Sequence, residues 1–240
     1  MNMEKDIKIV KETKDYLVID KPAGLLVHGA KHITEETLVD WLLAKYPKIK
    51  EVGESLERPG IVHRLDKDVS GLMVIAKNQT TYEHLKSQFQ DRTMTKEYTA
   101  LVYGKILSDE GDIDFPIKRS HQGFKMAAVP KNFASDGETV RQALTHYQII
   151  EKKINYTLLA VRIKTGRTHQ IRVHLAALGH PIVGDNLYGT KTTKIKNKKI
   201  DLGRLFLVSS HLEFTDPDGK VVDSRVDLPL ELSNFLKIAK

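Results

Sequence analysis

GIVHRLDKDVSGLMVIAK, residues 60–77, joins a polar segment to a continuous apolar run at residues 72–76. The apolar run predicts a buried strand, and glycines at positions 60 and 71 bound the polar segment before it. Loops on a rigid sheet are where catalytic side chains usually lie. Asp66, flanked by Arg64 and Lys67, is therefore a candidate catalytic carboxylate. The alternative is a surface loop with solvated ion pairs, since charged runs are mostly solvated.

Short strand-like and helix-like patterns lie on both sides of this segment. Alternating or apolar runs predict strands at residues 7–10, 16–20, 95–103, 139–150, 156–164, 205–208 and 211–215. Apolar stripes with capping residues predict helices from Thr34, after Asn78, from Thr168 to Gly179, and near residues 230–239. Five lysines between residues 191 and 199 indicate a solvated loop. Many strands with a few scattered helices indicate an α+β fold on a largely antiparallel sheet.

Composition restricts the classes of function that the chain can serve. Its 240 residues are 40% hydrophobic and 29% charged, and no run approaches the roughly 18 apolar residues of a membrane span. The N-terminal residues mix acids and lysines without an apolar segment, which argues against a secretory signal. The absence of cysteine excludes disulfides, thiolate metal sites and cysteine nucleophiles, and it fits a cytoplasmic location.

The charge balance bears on the partner. A formal net charge of +7 and a sequence pI of about 9.3 favour anionic partners, of which nucleic acid is the commonest. Charge alone leaves a soluble basic protein as an equal alternative, because basic balance concerns association and not fold.

A second polar segment, TGRTHQIRVHL at residues 165–175, opens one of the predicted helices. Arginine and histidine at a helix start supply donors for an anion beside the positive end of the helix dipole. His169 and Arg172 are three residues apart on one face; an amphipathic helix with a basic exposed face is the alternative. The spacing of His169, His174 and His180 does not suit metal ligands on one helical face, and no Gly-x-Ser-x-Gly hydrolase motif is present.

Together these segments resemble the RluA family of pseudouridine synthases. The family's motifs are similar to residues 60–77, to KPAGLLVH at 21–28, to KEYTALVYG at 96–104, and to residues 165–185. The matches follow the family's order and span residues 16–230. The resemblance implies a single catalytic domain over residues 1–240, with a mixed, largely antiparallel sheet, flanking helices and no N-terminal S4-like domain. One departure is LVSSH at residues 207–211, where the family often has Leu-His-Ala.

The same resemblance implies isomerisation of uridine to pseudouridine in structured ribosomal or transfer RNA, without a cofactor or a metal. The bond from ribose to N1 breaks, the uracil rotates, and C5 joins the ribose. The target base must first be flipped out of folded RNA. An RNA-binding module that kept the fold without catalysis is the alternative, and a metal-dependent nuclease finds no acidic ligand cluster. A monomer is the default expectation.

Motif positions assign the catalytic roles. Asp66 is the aspartate of HRLD, Tyr98 is the tyrosine that lies against the uracil, and Arg172 is the basic residue that pairs with the aspartate. Arg167, at the start of the same helix, is the alternative partner. Asp66 would attack the sugar or the uracil as a nucleophile, or abstract the ribose 2′ proton.

RNA contacts are assigned to side chains beside these motifs. Arg64 either fills the space left by the flipped base or holds a phosphate; the alternative is a surface arginine paired with Asp68. The lysines of residues 191–199 either attract phosphates or are merely solvated. The expected RNA contacts are Arg64, Arg167, His63 and His169.

Overall fold

The computed structural model describes residues 7–29, 35–120, 123, 125–129 and 140–240. Within these ranges the chain forms eleven strands and five α-helices. The strands are β1 (Lys8–Glu12), β2 (Tyr16–Lys21), β3 (Ser70–Ala76), β4 (Thr95–Tyr103), β5 (Glu110–Ile113), β6 (Ile117–Arg119), β7 (Met126–Ala128), β8 (Thr145–Lys152), β9 (Tyr156–Ile163), β10 (Leu207–Thr215) and β11 (Val221–Arg225). The helices are α1 (Leu38–Lys45), α2 (Gln79–Asp91), α3 (Gln170–Ala177), α4 (Lys191–Ile200) and α5 (Leu230–Ile238), and a 3-10 helix, Pro47–Glu51, follows α1.

The chain divides into two compact units. Unit 1 comprises residues 1–96 and 209–227, and unit 2 comprises residues 97–208 and 228–240. We count β10 with unit 1 and β4 with unit 2, where most of their residues lie. The strand pairs whose register is described below are antiparallel, and the predicted mixed, largely antiparallel sheet with flanking helices is confirmed.

Unit 1 is built on the strand order β1-β2-β3-β10-β11. β2 runs antiparallel to β3, with Tyr16 opposite Ala76 and Asp20 opposite Leu72. Every residue of β3 is buried, as its continuous apolar run predicts for a strand covered on both faces. The core of the unit is formed by fully buried apolar residues of β2 and β3, together with Leu38 and Leu42 of α1 and Leu85 of α2; those of the strands are Leu17, Val18, Ile19, Leu72, Met73, Val74 and Ile75.

The helices of unit 1 begin at side-chain caps. Asn78 accepts a hydrogen bond from the Thr81 N–H and begins α2, as predicted. The helix predicted from Thr34 begins later, since Thr37 and Asp40 form a reciprocal capping box at the start of α1. Thr34 itself lies outside the described residues. Thr37 was the better cap because an acid three residues on can return the hydrogen bond to the cap N–H.

Unit 2 is built on the antiparallel order β4-β9-β8-β5, with β6 and β7 as a separate pair. β4 has the predicted bounds, and its alternate residues Lys96, Tyr98, Ala100 and Val102 are all buried. β8 begins at Thr145, later than predicted, and Thr139 lies outside the described residues. Within the described ranges, no helix has both the length and the hydropathy needed to cross a bilayer.

Three local predictions were wrong. Residues 191–199 form helix α4 instead of a loop, capped by Thr190 and anchored by tertiary bonds of Asn197. The two strands predicted at residues 205–208 and 211–215 are one strand, β10. α3 is not capped by Thr168, because His169 occupies the N-cap position in the left-handed conformation (φ 55°).

Candidate active site

The loop that carries Asp66 is held at both ends by glycines that other residues could not replace. Gly60 has φ +70°, and a Cβ there would lie 2.5 Å from the Ala76 carbonyl oxygen. Gly71 has φ +114°, and its Cβ would lie 2.3 Å from the Ser209 carbonyl oxygen. Both positions combine a backbone conformation that favours glycine with a close backbone approach. The ends of the Asp66 loop are therefore fixed against β3 and β10.

Lys21 ties the loop to the end of β2 from inside the unit. Its side chain is 0% exposed, and Nζ donates to the carbonyl oxygens of Pro22 (2.8 Å), Leu25 (2.9 Å) and Lys67 (3.3 Å). The Gly24 N–H also donates to the Lys67 carbonyl at 2.8 Å. A buried ammonium needs such partners, because burying an unpaired charge is costly. The residue next to Asp66 is thus fixed by a buried cation, a function that the sequence motif did not reveal.

His63 anchors the Asp66 loop to α2 and β3. Its ring stacks on Phe89 with centroids 4.7 Å apart, and Nε2 accepts the Val74 N–H at 3.0 Å. Burial, with a smaller contribution from the nearby Lys96, lowers the pKa of His63 to about 3, so the ring is neutral at pH 7. A neutral imidazole engaged with the backbone of β3 fits the anchoring of the loop.

Arg64, which is exposed, contacts the last residue of the KPAGLLVH segment. Its Nη1 lies 2.8 Å from Nε2 of His28, and Nδ1 of His28 lies 2.9 Å from the Gly29 carbonyl oxygen. Burial lowers the pKa of His28, which suits a neutral ring that accepts from Arg64. The hydrogen bond described for Arg64 goes to His28, and the alternative pairing of Arg64 with Asp68 stays a prediction. His28 thereby orients the guanidinium two residues before Asp66.

Tyr98 lies in unit 2 on β4, in register with Val161 of β9. Its side chain is 7% exposed, on the buried face predicted from the alternation of β4. A tyrosine ring in this setting offers an apolar face and one polar end.

Arg172 of α3 forms a buried, two-pronged ion pair with Asp185. Its Nε and Nη2 donate to the two carboxylate oxygens at 2.9 Å and 3.0 Å, and the side chains are 6% and 1% exposed. Burial alone would raise the pKa of Asp185, but hydrogen bonds from Arg172 and from the Leu187 and Tyr188 N–H groups bring it below its ordinary value. The pair is thus ionised at neutral pH and fixes the plane of the guanidinium.

Tyr188 joins this pair to the start of α3. Its ring lies 5.2 Å from the guanidinium carbon of Arg172, and its hydroxyl lies 2.8 Å from Nδ1 of His169. The hydroxyl also accepts the Met126 N–H at 2.9 Å. His169 and Arg172, predicted side by side, are therefore brought together through Tyr188, with Asp185 beneath them.

Arg167 is placed at the edge of the same segment. Its Nε donates to the Gln142 carbonyl at 3.2 Å, and its N–H donates to Oε1 of Gln170 at 3.1 Å. The buried Gln170 also accepts from Thr165 at 2.7 Å, so its amide closes the turn that precedes α3. The polar residues of this segment form a connected network, which the interpretation as an exposed amphipathic face did not anticipate.

The histidines weighed as metal ligands have separate partners. His174 contacts the Thr145 hydroxyl and the Phe115 carbonyl, and His180 contacts the Tyr103 carbonyl. One group among the described residues has the spacing of metal ligands: His211, Glu213 and Asp223, with ligand atoms within 4.8 Å of one another. Arg225 Nε and His211 Nε2 each lie 3.3 Å from a carboxylate oxygen of Asp223, so this carboxylate already has contacts within the fold.

Four residues of these clusters were not singled out from the sequence: Lys21, His28, Asp185 and Tyr188. Lys21 and His28 open and close the KPAGLLVH segment, and Asp185 ends the C-terminal motif, so the motif boundaries contained a signal. What the sequence lacks is the pairing, since Arg172 and Asp185 are 13 residues apart and meet through a turn.

A profile of the RNA pseudouridylate synthase family matches residues 15–177 of the chain. This range contains the Asp66 loop, Tyr98 on β4 and Arg172 on α3. An RNA pseudouridine synthase of Aquifex aeolicus is 44% identical over 215 residues, which cover 88% of this chain and 66% of the relative.

A ribosomal large subunit pseudouridine synthase D of Zymomonas mobilis is 38% identical over 236 residues, covering 97% of this chain and 72% of the relative. The chain thus spans about two thirds of the length of these curated relatives. The solved structure of human RNA pseudouridylate synthase domain containing 4 has a TM-score of 0.77 at 26% identity, covering 96% of this chain and 92% of the human one.

Proposed function

Because the chain belongs to the RNA pseudouridylate synthase family, we propose that it isomerises uridines in RNA with Asp66 as its catalytic residue. The resemblance to the RluA family and the enzyme class, an isomerase, are both confirmed by these relatives. The observation that carries the proposal is the position of Asp66. It lies within the matched residues, on a short loop fixed by Gly60, Gly71 and the buried ammonium of Lys21.

Asp66 supplies the carboxylate that the reaction needs. As an anion it attacks the sugar or the uracil, or takes the 2′ proton of the ribose. The C1′–N1 bond breaks, the C1′–C5 bond forms, and a proton leaves C5 while N1 gains one. Atoms and electrons balance within one nucleotide, so the reaction needs no cofactor.

Tyr98 and Arg172 supply the other two catalytic contacts of the proposal. Tyr98 offers a ring face for the uracil and a phenol that can take part in proton transfer at C5. Arg172 supplies the cation of the proposal, and Asp185 holds its guanidinium in a fixed orientation. Arg167 donates to the Gln142 carbonyl, and we assign it to contact with the RNA and not to catalysis.

Arg64 and His169 contact the RNA. Arg64 is exposed, lies two residues before Asp66, and is oriented by His28, which suits it to fill the space of a flipped base or to hold a phosphate. His169 lies beside Tyr188 and is assigned to a phosphate contact. His63 is assigned an indirect effect on the RNA, because it positions the Asp66 loop.

Large-subunit ribosomal RNA is the substrate that we favour over transfer RNA. Relatives named ribosomal large subunit pseudouridine synthase D from three organisms are 37–39% identical over 96–98% of this chain.

The test compares Asp66→Asn with Asp68→Asn on unmodified transcripts of large-subunit ribosomal RNA and of transfer RNA. We expect Asp66→Asn to lower the rate of pseudouridine formation by at least about 10³-fold, because the variant loses the reacting group. Asp68→Asn removes the same charge two residues away and should retain activity within about twofold. Nucleoside analysis after digestion measures the product, and filter binding measures RNA affinity.

Each outcome has a distinct meaning. Undiminished activity of Asp66→Asn would exclude the catalytic role. Tight RNA binding by the unmodified protein without any pseudouridine formation would favour an RNA-binding module that kept the fold. Activity on transfer RNA alone would overturn the ribosomal assignment while leaving the role of Asp66 in place.

A further inference from the structure

Helix α4 carries a dense group of positive charges. Its sequence KTTKIKNKKI holds five lysines in ten residues and no acid. In the part of the chain that the structure describes, none of the five ammonium groups lies within ion-pairing distance of a carboxylate. The contact recorded for this group is that of Lys196 with the Tyr103 ring, at 5.7 Å. We call these side chains the α4 lysine face: Lys191, Lys194, Lys196, Lys198 and Lys199.

Two of these charges are placed unfavourably for the helix, whereas Lys198 and Lys199 lie in its last turn, where the helix dipole favours cations. Lys191 and Lys194 lie in the first turn, where the positive end of the helix dipole disfavours cations. Lys194 and Lys198 are four residues apart, a spacing at which like charges destabilise a helix by roughly 0.2–0.5 kcal/mol. A solvated face selected for helix stability alone would place acids in the first turn. The distribution therefore indicates that the lysines serve a partner.

The helix is also not held by an apolar core. The two residues that it buries are Thr193 and Asn197, both polar. Oδ1 of Asn197 accepts from the Tyr103 hydroxyl at 2.7 Å and from the Gly184 N–H at 2.9 Å. Gly184 precedes Asp185, the partner of Arg172, so α4 is bonded directly to the turn that fixes Arg172. The structure holds this helix rigidly beside a residue that we assign to the reaction.

We propose that the α4 lysine face binds the phosphate backbone of the RNA substrate, outside the pocket for the target uridine. The proposal rests on the function proposed above. At about 1.5 Å per residue the helix is about 15 Å long, enough for its lysines to meet several phosphates of one strand. Lysines on one rigid helix neutralise those phosphates and release their counterions, which gives affinity without sequence specificity.

The test uses a double variant that removes charge without weakening the helix. Lys191→Gln/Lys194→Gln retains helix propensity and relieves the first turn of two cations. Its melting temperature should therefore equal or exceed that of the unmodified protein. We expect its affinity for an unmodified transcript of large-subunit ribosomal RNA to fall roughly tenfold at 0.1 M salt. The slope of log affinity against log salt should decrease in magnitude by about 1 for each lysine removed.

Matched controls separate local binding from bulk charge. Lys48→Gln/Lys50→Gln removes two exposed lysines from the 3-10 helix of unit 1 and lowers the net charge equally. It should bind RNA within about twofold of the unmodified protein. Lys191→Arg/Lys194→Arg keeps the charges and should restore both the affinity and the salt slope.

Three results would overturn the proposal. Equal losses in the Lys48→Gln/Lys50→Gln and Lys191→Gln/Lys194→Gln variants would show that only net charge matters. Undiminished RNA affinity of the α4 variant would show that the lysine face does not contact the RNA. A lower melting temperature of that variant would contradict the reasoning from the helix dipole. Failure of the proposed function appears differently, as a lack of pseudouridine formation by the unmodified protein.

Discussion

The buried pair of Arg172 and Asp185 should be one of the strongest single interactions of unit 2. Arg172→Met removes the guanidinium but keeps an apolar stem, and it leaves the carboxylate buried with two backbone N–H donors. Removing one partner of such a pair typically costs about 3–5 kcal/mol, because the other charge remains uncompensated. At about 2–4 °C per kcal/mol for a chain of this size, the melting temperature should fall by roughly 10 °C.

A double-mutant cycle isolates the pair from the other contacts of each residue. Arg172→Met, Asp185→Asn and the double variant are unfolded in urea at pH 7, and the free energies of unfolding are compared. We expect a coupling energy of about 2 kcal/mol, since both side chains are nearly inaccessible and the geometry is two-pronged. A coupling energy below about 0.5 kcal/mol would refute the assignment of the pair as a stabilising element.

The pH dependence gives a second measure of the same pair. In the folded protein the pKa of Asp185 is lowered, so its contribution to stability is present above the unfolded pKa and is lost as the pH falls towards the folded value. Without Arg172, burial raises that pKa instead. The difference in unfolding free energy between the unmodified protein and Arg172→Met should therefore shrink as the pH falls from 7 to 4. A difference that stays constant over this range would contradict the electrostatic account.

Two further predictions concern the Asp66 loop. Lys21→Met removes the ammonium donor from three carbonyl oxygens; that of Lys67 keeps the Gly24 N–H, and those of Pro22 and Leu25 lose the donor described for them. Urea denaturation should therefore show a loss of about 3 kcal/mol. A loss below about 1 kcal/mol would argue against the role of Lys21 as an anchor. Burial and the nearby Lys96 lower the folded pKa of His63 from 6.5 to about 3, so only the unfolded chain takes up this proton as the pH falls below 6.5. Between pH 7.5 and pH 5 the unmodified protein should then lose roughly 2 kcal/mol of its unfolding free energy through this residue. The loss over the same range should be correspondingly smaller in His63→Gln. If His63→Gln loses as much stability as the unmodified protein, His63 is not the source of this pH dependence.

Local sequence patterns were enough to predict the helices and strands whose bounds depend on neighbouring residues alone. β4 was bounded correctly because residues 95–103 combine strand-favouring residues with one face, Lys96, Tyr98, Ala100 and Val102, that is buried throughout. α2 was capped correctly because Asn78 precedes an amphipathic stripe. α4 was missed because its lysines suggest a solvated segment. Its stability comes from bonds of Asn197 to Tyr103 and Gly184, which are distant in sequence.

For the candidate site, the sequence names residues but not the contacts that they make. Asp66, Tyr98 and Arg172 were named by motif position, whereas the supporting partners emerge only in the fold. In the sequence Lys21 is only the first residue of the KPAGLLVH segment, yet in the structure it is completely buried beneath the segment that carries Asp66. Charged residues are almost never fully buried unless paired, so no sequence pattern would have placed it there.

Lys21 and Arg172 are both buried cations that are surrounded by fixed oxygen acceptors. Each cation is held by fixed oxygens of its own unit, Lys21 by three carbonyls and Arg172 by both oxygens of Asp185. Asp185 takes two of the five N–H donors of the guanidinium, so the others keep fixed directions. A charge oriented before the substrate arrives needs no reorganisation during the reaction, and this preorganisation is how polar groups stabilise a transition state. Replacing Arg172 by lysine would keep the charge but lose the two-pronged contact, so the orientation would be lost while the net charge of the site stayed the same.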